Sequence, residues 1–266
     1  MFITKKALRR MKIMVGIFLG IGVFFLLIAG LFACLDIEYT QVLVLAVVEC
    51  LLALLFFWAS RHSEGKGQLI NKGNKLVLYD LRPADFVRLY EEKRDCPDNV
   101  IAKPDFDVLH MLLLAYDALG DEARVLDTLE QMDAIAPIER KNYVKVLKSS
   151  TLFEQGKIEA AQVLYDEVLH GKMDFVTKTA MDSLTKCVRA IAIGEYDTAE
   201  NYLTENLAVK SPKGTPLSVL VKKFHLAKIY CMTQQTDKAK IYLNYCIENG
   251  GETGIKAEAK NMYDQL

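Results

Sequence analysis

The chain has 266 residues, of which 52% are hydrophobic and 25% charged, and its net charge at pH 7 is −1. Its polar part carries no excess of basic residues, so we expect no nucleic-acid partner. Six cysteines are scattered without a C-x-x-C pair or zinc-ligand spacing, which argues against a disulfide framework and predicts no metal site.

Two long apolar segments, 13–35 and 40–59, lie near the N-terminus. Each is long enough to cross a bilayer as a helix. Residues 1–12 carry five basic side chains and no acid, residues 61–75 are also basic, and the intervening turn is acidic. This charge pattern predicts a multi-pass protein of the cell membrane whose termini and soluble part are cytoplasmic. The alternative for the first segment, a cleaved signal peptide, would have a shorter apolar core.

The predicted transmembrane hairpin contains two features that suggest helix contacts. Gly16 and Gly20 form a G-x-x-x-G pair, which lets two helices approach closely in lipid. Glu49 places a carboxyl group near the middle of the second segment, where it is expected to face protein. It has three interpretations: a hydrogen bond within the hairpin or to a second copy, a contact with another membrane protein, or a proton or ion path.

Residues 61–103 are predicted to form a juxtamembrane linker followed by a short helix. The stretch "RHSEGKGQLINKGNK" is rich in glycine and basic residues and is typical of a flexible connector. The next stretch, "KLVLYD", is compatible with a short extended segment. A helix is then expected from Pro83, because proline suits a first helical turn. The predicted domains are therefore 1–60, 61–103 and 104–266.

A unit of two helices recurs through the rest of the chain. It appears in "LLLAYDALGDEARVLDTLEQM", "SSTLFEQGKIEAAQVLYDEVL", "CVRAIAIGEYDTAENYLTENL" and "LAKIYCMTQQTDKAKIYLNYC". The turn inside the unit falls at Gly120, Gly156 and Gly194, and at Gln234 in the fourth unit. Glycine is favoured there because a helix often ends in the left-handed conformation.

The second helix of each unit repeats a pattern of a small or short residue, then a large one, then another apolar one. Each unit leaves an apolar face that needs a neighbour, so the units are expected to stack. A final helix in "GIKAEAKNMYDQL" is expected to cap the stack. The pattern consists of Val125, Leu129 and Met132; Ala161, Tyr165 and Val168; Ala199, Leu203 and Leu207; and Ala239, Leu243 and Cys246.

Residues 104–250 resemble the tetratricopeptide repeat family in the turn glycine, the small-then-large second helix, and Tyr116 and Tyr230 in the first helices. They depart from it in a spacing longer than 34 residues, in lacking the family's tryptophan and terminal proline, and in Gln234. The predicted fold is therefore all-α: a transmembrane helical hairpin followed by an α-solenoid of about four such helix pairs and a C-terminal capping helix.

The resemblance implies a groove for a peptide or protein segment, lined by the first helix of each pair. An apolar groove of this kind suits an amphipathic helix or an extended apolar segment. The alternative is a tight superhelix that buries these residues against itself. The implied lining residues are Asp107, His110, Leu114, Asp117, Tyr143, Val146, Ser150, Phe153, Met181, Leu184, Val188, Ile191, Val221, Phe224, Lys228 and Cys231.

No catalytic motif is present in the sequence, and the four histidines are isolated from one another. We therefore expect no enzyme activity and no cofactor. The expected function is that of a membrane-anchored scaffold or assembly factor that binds a protein or peptide partner. The alternative is an accessory subunit of a transport or secretion complex, recruited through Glu49 and the Gly16/Gly20 face. That face also allows a homo-oligomer through the transmembrane helices, and an enzyme with an unrecognised site is the remaining alternative.

Overall fold

A computed structural model describes residues 65–95, 104–208 and 214–266, without the side chains of residues 183 and 184, and isolated positions between 16 and 55. The chain divides into two compact units, Met1–Asn71 and Lys72–Leu266. The described residues contain helices and no strand, which confirms the all-α class for this part of the chain.

The predicted transmembrane segments, 13–35 and 40–59, lie outside the described residues except for a few isolated positions. Glu49 and Gly20 are among the residues that are not described, whereas Gly16 is described as helical. Within the described part of the chain, no helix combines the length and the apolar character needed to cross a bilayer.

The region predicted as a connector and an extended segment is helical instead. Helix α1 covers 65–73 and continues as a π-helical segment, Asn74–Tyr79. The prediction of an extended "KLVLYD" was wrong, because a short apolar run does not distinguish strand from helix by its period. Gly73 lies so close to the Phe86 ring that an added Cβ would be 2.8 Å from it. Helix α2, Pro83–Arg94, begins at the predicted proline.

The remaining described helices follow in pairs joined by short turns. The first helices of the pairs are α3, α5, α7 with α8, and α10, and each packs against the helix that follows it. In the third pair, the first helix contains a π-helical segment, Met181–Thr185, between α7 and α8. The bounds are α3 Phe106–Leu119, α4 Glu122–Ile135, α5 Lys141–Glu154, α6 Ile158–His170, α7 Phe175–Ala180, α8 Lys186–Ala192, α9 Tyr196–Ala208, α10 Pro216–Met232, α11 Thr236–Asn249 and α12 Gly254–Asp264.

In all four turns within the pairs, the residue at the predicted position adopts the left-handed backbone conformation. The φ angles are 73° at Gly120, 72° at Gly156, 81° at Gly194 and 58° at Gln234. Glycine adopts this conformation without the steric cost that a Cβ brings. Gln234 carries that cost, yet the fourth turn keeps the same geometry, so packing of the pair decides the turn more strongly than the residue type does.

The small and large residues predicted on the second helices do form the contact between paired helices. Eleven of the twelve are buried, and Leu207 is half-buried. The buried Ala199 and Leu203 of α9 pack in one cluster with Cys187 and Ala190 of the paired helix α8, and with Leu226 and Ile229 of α10 in the next pair. The small residue lets the two helices approach, and the large one fills the space a turn later.

The two ends of the second unit of the chain meet. The amide of Glu252 donates a hydrogen bond of 2.9 Å to the carbonyl of Leu81, and Arg82 lies 3.6 Å from the Glu252 carboxylate. Helix α12 packs against α11, as expected of a cap, and also against α3 of the first pair. Helix α10 contacts the π-helical segment Asn74–Tyr79. The helix pairs therefore curve until the last elements reach the first.

The contact between the two ends gives a stability prediction at Gly251. Its φ is 56°, and an added Cβ would lie 2.6 Å from the Leu81 Cβ. Gly120 has a similar φ but open space around it. We expect Gly120→Ala to lower the free energy of unfolding by about 1 kcal/mol, from backbone strain alone. Gly251→Ala adds overpacking and should cost about 2–4 kcal/mol.

Urea denaturation of both variants, followed by circular dichroism, measures this difference. Equal losses in the two variants would contradict a tight contact between the Leu81 turn and the Gly251 turn.

Candidate functional site

The first helices of the pairs and α12 face a common space. Where α3 and α5 end, this space is surrounded by Asp117 of α3, Glu154 of α5, His225 and Lys228 of α10, and Glu258 of α12. We call these five residues the inner cluster. They come from three helix pairs and the terminal helix, so the curvature of the whole array brings them together.

Direct contacts join members of the inner cluster across different helices. The His225 Nε2 atom lies 3.7 Å from Glu154 Oε1, which links the second pair to the fourth. The Lys228 ammonium lies 2.9 Å from the Glu258 carboxylate. Beside the cluster, the Gln155 amide donates a hydrogen bond of 3.2 Å to the Glu122 carboxylate.

Water reaches two acids of the inner cluster, Asp117 and Glu154. Asp117 is exposed, and the side chain of Glu154 keeps 37% of its surface accessible. Protein nevertheless surrounds both groups, and this desolvation raises their pKa values above the ordinary carboxyl range. The Asp117 charge raises the pKa of Glu154 further, while Lys228 opposes the rise. Asp117 and Glu154 therefore keep their protons to a higher pH than free carboxyl groups do.

His225 is the buried member of the cluster, with 7% of its surface exposed. Burial lowers its pKa to about 4, and the nearby Lys228 charge acts in the same direction. The imidazole is therefore neutral near pH 7. Among the described residues, its Nε2 atom has no hydrogen-bond partner, because 3.7 Å to Glu154 is too long for one. A buried polar atom in this state is costly and usually has a functional or structural reason.

At the opposite end of the first helices, polar and aromatic side chains join α3 to α5. The Tyr143 hydroxyl lies 2.8 Å from His110 Nε2, and Arg140 lies 3.1 Å from Asp107. Burial lowers the pKa of His110 and raises that of Tyr143 to about 12. Both groups are therefore neutral near pH 7, and the contact is a hydrogen bond between neutral partners.

The structure divides the predicted groove residues into a buried and an accessible set. The buried residues, Val146, Ser150, Phe153, Met181, Val188 and Phe224, pack inside the protein. Asp117 is exposed, and the side chain of Leu184 is outside the described set. The partly exposed residues are Asp107, His110, Leu114, Tyr143, Ile191, Val221, Lys228 and Cys231. A segment bound to the inner surface would therefore meet mainly polar groups and a few apolar ones.

Sequence reasoning missed three members of the inner cluster: Glu154, His225 and Glu258. Asp117 and Glu154 both lie within three residues of a turn glycine. Each acid is therefore at the C-terminal end of the first helix of its pair. That signal was visible in the sequence. The convergence with His225 was not, because it depends on how far the array curves.

A second concavity lies between α2 and the first helix pair. Tyr90, Leu112 and Tyr116 contribute to its walls, and Arg124 lies at its polar side. Arg124 is 3.4 Å from Asp121 and 3.8 Å from Glu91, so its charge is balanced locally. We therefore regard the inner cluster as the better candidate site.

No protein-family model, curated protein or solved structure matches this chain. The resemblance to the tetratricopeptide repeat family consequently stays a prediction from sequence. Among the described residues, no three His, Cys, Asp or Glu side chains are grouped so that they would hold a metal ion.

The raised pKa of Glu154 makes a prediction about stability and pH. The folded state keeps a proton on Glu154 at pH values where the unfolded chain has lost it. Stability from this group is therefore present at low pH and is lost as the pH rises through the raised pKa. Because Glu154 is partly exposed, screening limits the effect to about 1 kcal/mol.

Glu154→Gln should raise the melting temperature by about 2–4 °C at about pH 9 and leave it nearly unchanged at about pH 5. Differential scanning calorimetry measures this, with Glu130→Gln on α4 as a control because Glu130 is exposed. A lower melting temperature of Glu154→Gln at the higher pH would contradict an uncompensated carboxylate.

Proposed function

We propose that this protein is a membrane-anchored scaffold whose curved, α-solenoid-like array of tetratricopeptide-like helix pairs binds a segment of another protein on its inner surface. The observation that carries the proposal is the inner cluster, where side chains from α3, α5, α10 and α12 converge on one accessible recess. Tethering at the membrane would raise the local concentration of the bound partner there.

Two features of the inner surface support the binding of a protein segment. It is long, because first helices from successive pairs contribute to it, and it is neither wholly polar nor wholly apolar. Leu114 is partly exposed one helical turn before Asp117, and Ile191 is partly exposed on α8. Partly exposed apolar side chains beside a charged end suit a segment with both apolar and polar residues.

The membrane anchor is supported by the composition of the N-terminal segments and by the isolated positions that the structure describes there. These positions are helical, and their apolar side chains are exposed. A bilayer would cover them and remove the cost of exposing them to water. The positions are Val23, Val47, Val48, Leu51, Leu52, Leu54 and Leu55.

Photocrosslinking in intact cells tests both parts of the proposal. A photoreactive amino acid replaces Leu114 or Val221, which are partly exposed on α3 and α10. The control position is Ile241, which is exposed on the second helix α11. We expect the two inner positions to capture the same protein and Ile241 not to capture it. The adduct should remain with membranes after a carbonate wash.

Two results would contradict this function. If neither inner position gives an adduct, or if Ile241 gives the same adduct in equal yield, binding on the inner surface is contradicted. An adduct released by carbonate would remove the case for an integral anchor.

A further inference from the structure

The inner cluster has more acidic groups than its own cation neutralises. Lys228 pairs with Glu258 at 2.9 Å. Asp117 forms no ion pair with a described residue, and the only basic side chain within 4 Å of Glu154 among the described residues is His225, which is neutral near pH 7. Neither carboxyl group therefore has an ion-pair cation of its own among the described residues, although Lys228 favours the charged form of Glu154 from a distance.

A second observation, independent of the acids, indicates that the recess is incomplete. His225 Nε2 is buried, faces Glu154 at 3.7 Å and has no hydrogen bond among the described residues. A neutral imidazole nitrogen of this kind can accept a hydrogen bond from a donor. The recess thus brings carboxyl and imidazole groups together, and its own cation, Lys228, is already paired with Glu258.

We propose that this recess binds the ammonium group of a lysine side chain from the partner segment, with Asp117 and Glu154 as its counter-charges and the buried His225 directly behind Glu154. The inference rests on the proposed function and specifies the chemistry of the bound segment. An ammonium has three N–H donors and one positive charge, so it supplies what this set of acceptors lacks.

The surroundings of the recess fit the rest of a lysine side chain. Leu114 precedes Asp117 by one helical turn, and Ile191 is also partly exposed on the predicted inner side. Apolar side chains beside a charged site suit the methylene stem of lysine, which packs on apolar surface while its charged end reaches a polar group.

Binding of a cation should release protons, because it favours the charged forms of both acids. The affinity for lysine should therefore rise with pH until lysine itself loses its proton at about pH 10.

Other titratable and charged groups face Asp117 and Glu154 from four further helices, and the proton release is still expected with them in place. These groups are Glu122 of α4, Cys187 of α8, His225 and Lys228 of α10, and Glu258 of α12.

The test titrates the full-length protein in mild detergent with the capped peptide Ala-Ala-Lys-Ala-Ala. The readout is the NMR signal of 13C-labelled His225, identified among the four histidines by its loss in His225→Gln. We expect saturable shifts, an affinity at least about tenfold higher at about pH 8 than at about pH 6, and at least about tenfold weaker binding when the lysine is acetylated.

Variants connect the signal to the recess. Asp117→Asn and Glu154→Gln should each weaken binding of the lysine peptide by about tenfold or more, whereas the control Glu130→Gln should leave it unchanged. Equal binding of the acetylated peptide, no binding of either peptide, or an affinity independent of pH would overturn the inference. Saturable displacement of the lysine peptide by ZnCl2 or CaCl2 would overturn it in favour of a metal ion.

Crosslinking separates the failure of this inference from the failure of the proposed function. With the photoreactive residue at Val221, Asp117→Asn and Glu154→Gln should reduce the adduct seen with the wild-type recess. An unchanged adduct in both variants would overturn the lysine site while leaving the groove intact. If the protein with the photoreactive residue at Val221 and an unaltered recess gives no adduct, the proposed function is contradicted. The peptide titration alone then tests the lysine site.

Discussion

The contact between the turn at Leu81 and the turn at Gly251 determines the curvature of the unit Lys72–Leu266. It fixes α12 against α3 and thereby sets how strongly the helix pairs curve. With less curvature, α10 and α12 would not bring His225, Lys228 and Glu258 to the acids of α3 and α5. The contact itself is small: one backbone hydrogen bond, one ion pair, and a glycine that tolerates the close approach.

The inner cluster lowers the stability of the fold, and this cost in free energy indicates that the cluster has a function. Placing carboxyl groups where protein displaces most of their water is unfavourable, and a single buried imidazole without a hydrogen bond adds to it. The chain keeps Asp117, Glu154 and His225 in this arrangement despite that cost. Groups held in this way are typical of sites where a ligand completes the arrangement.

The local part of the fold was predictable from sequence, because its causes are local. The turn residues at Gly120, Gly156 and Gly194 and the small-then-large pattern of the second helices fixed where each pair turns and which face it buries. Gln234 in the fourth turn was predicted from the spacing of the repeat alone, and its left-handed φ shows that the pattern of the pair outweighs the preference of one residue.

The non-local part was not predictable, for two physical reasons. The segment "KLVLYD" has no period long enough to distinguish helix from strand, and it is helical because Val77 is buried in the packed array. The inner cluster depends on the curvature accumulated over four pairs, and a smaller curvature would separate Glu154 from His225. Phe153 and Phe224, predicted to line the groove, are instead buried between helices of the same chain.

The most direct test of this account is hydrogen exchange of the Glu252 backbone amide in the full-length protein. The Glu252 side chain is exposed, so slow exchange of its amide can come only from the hydrogen bond to Leu81 and the packing around it. We predict that this amide exchanges as slowly as amides within α3 and α11. Exchange at the rate of an open loop would contradict the meeting of the two ends and, with it, the inner cluster that depends on their contact.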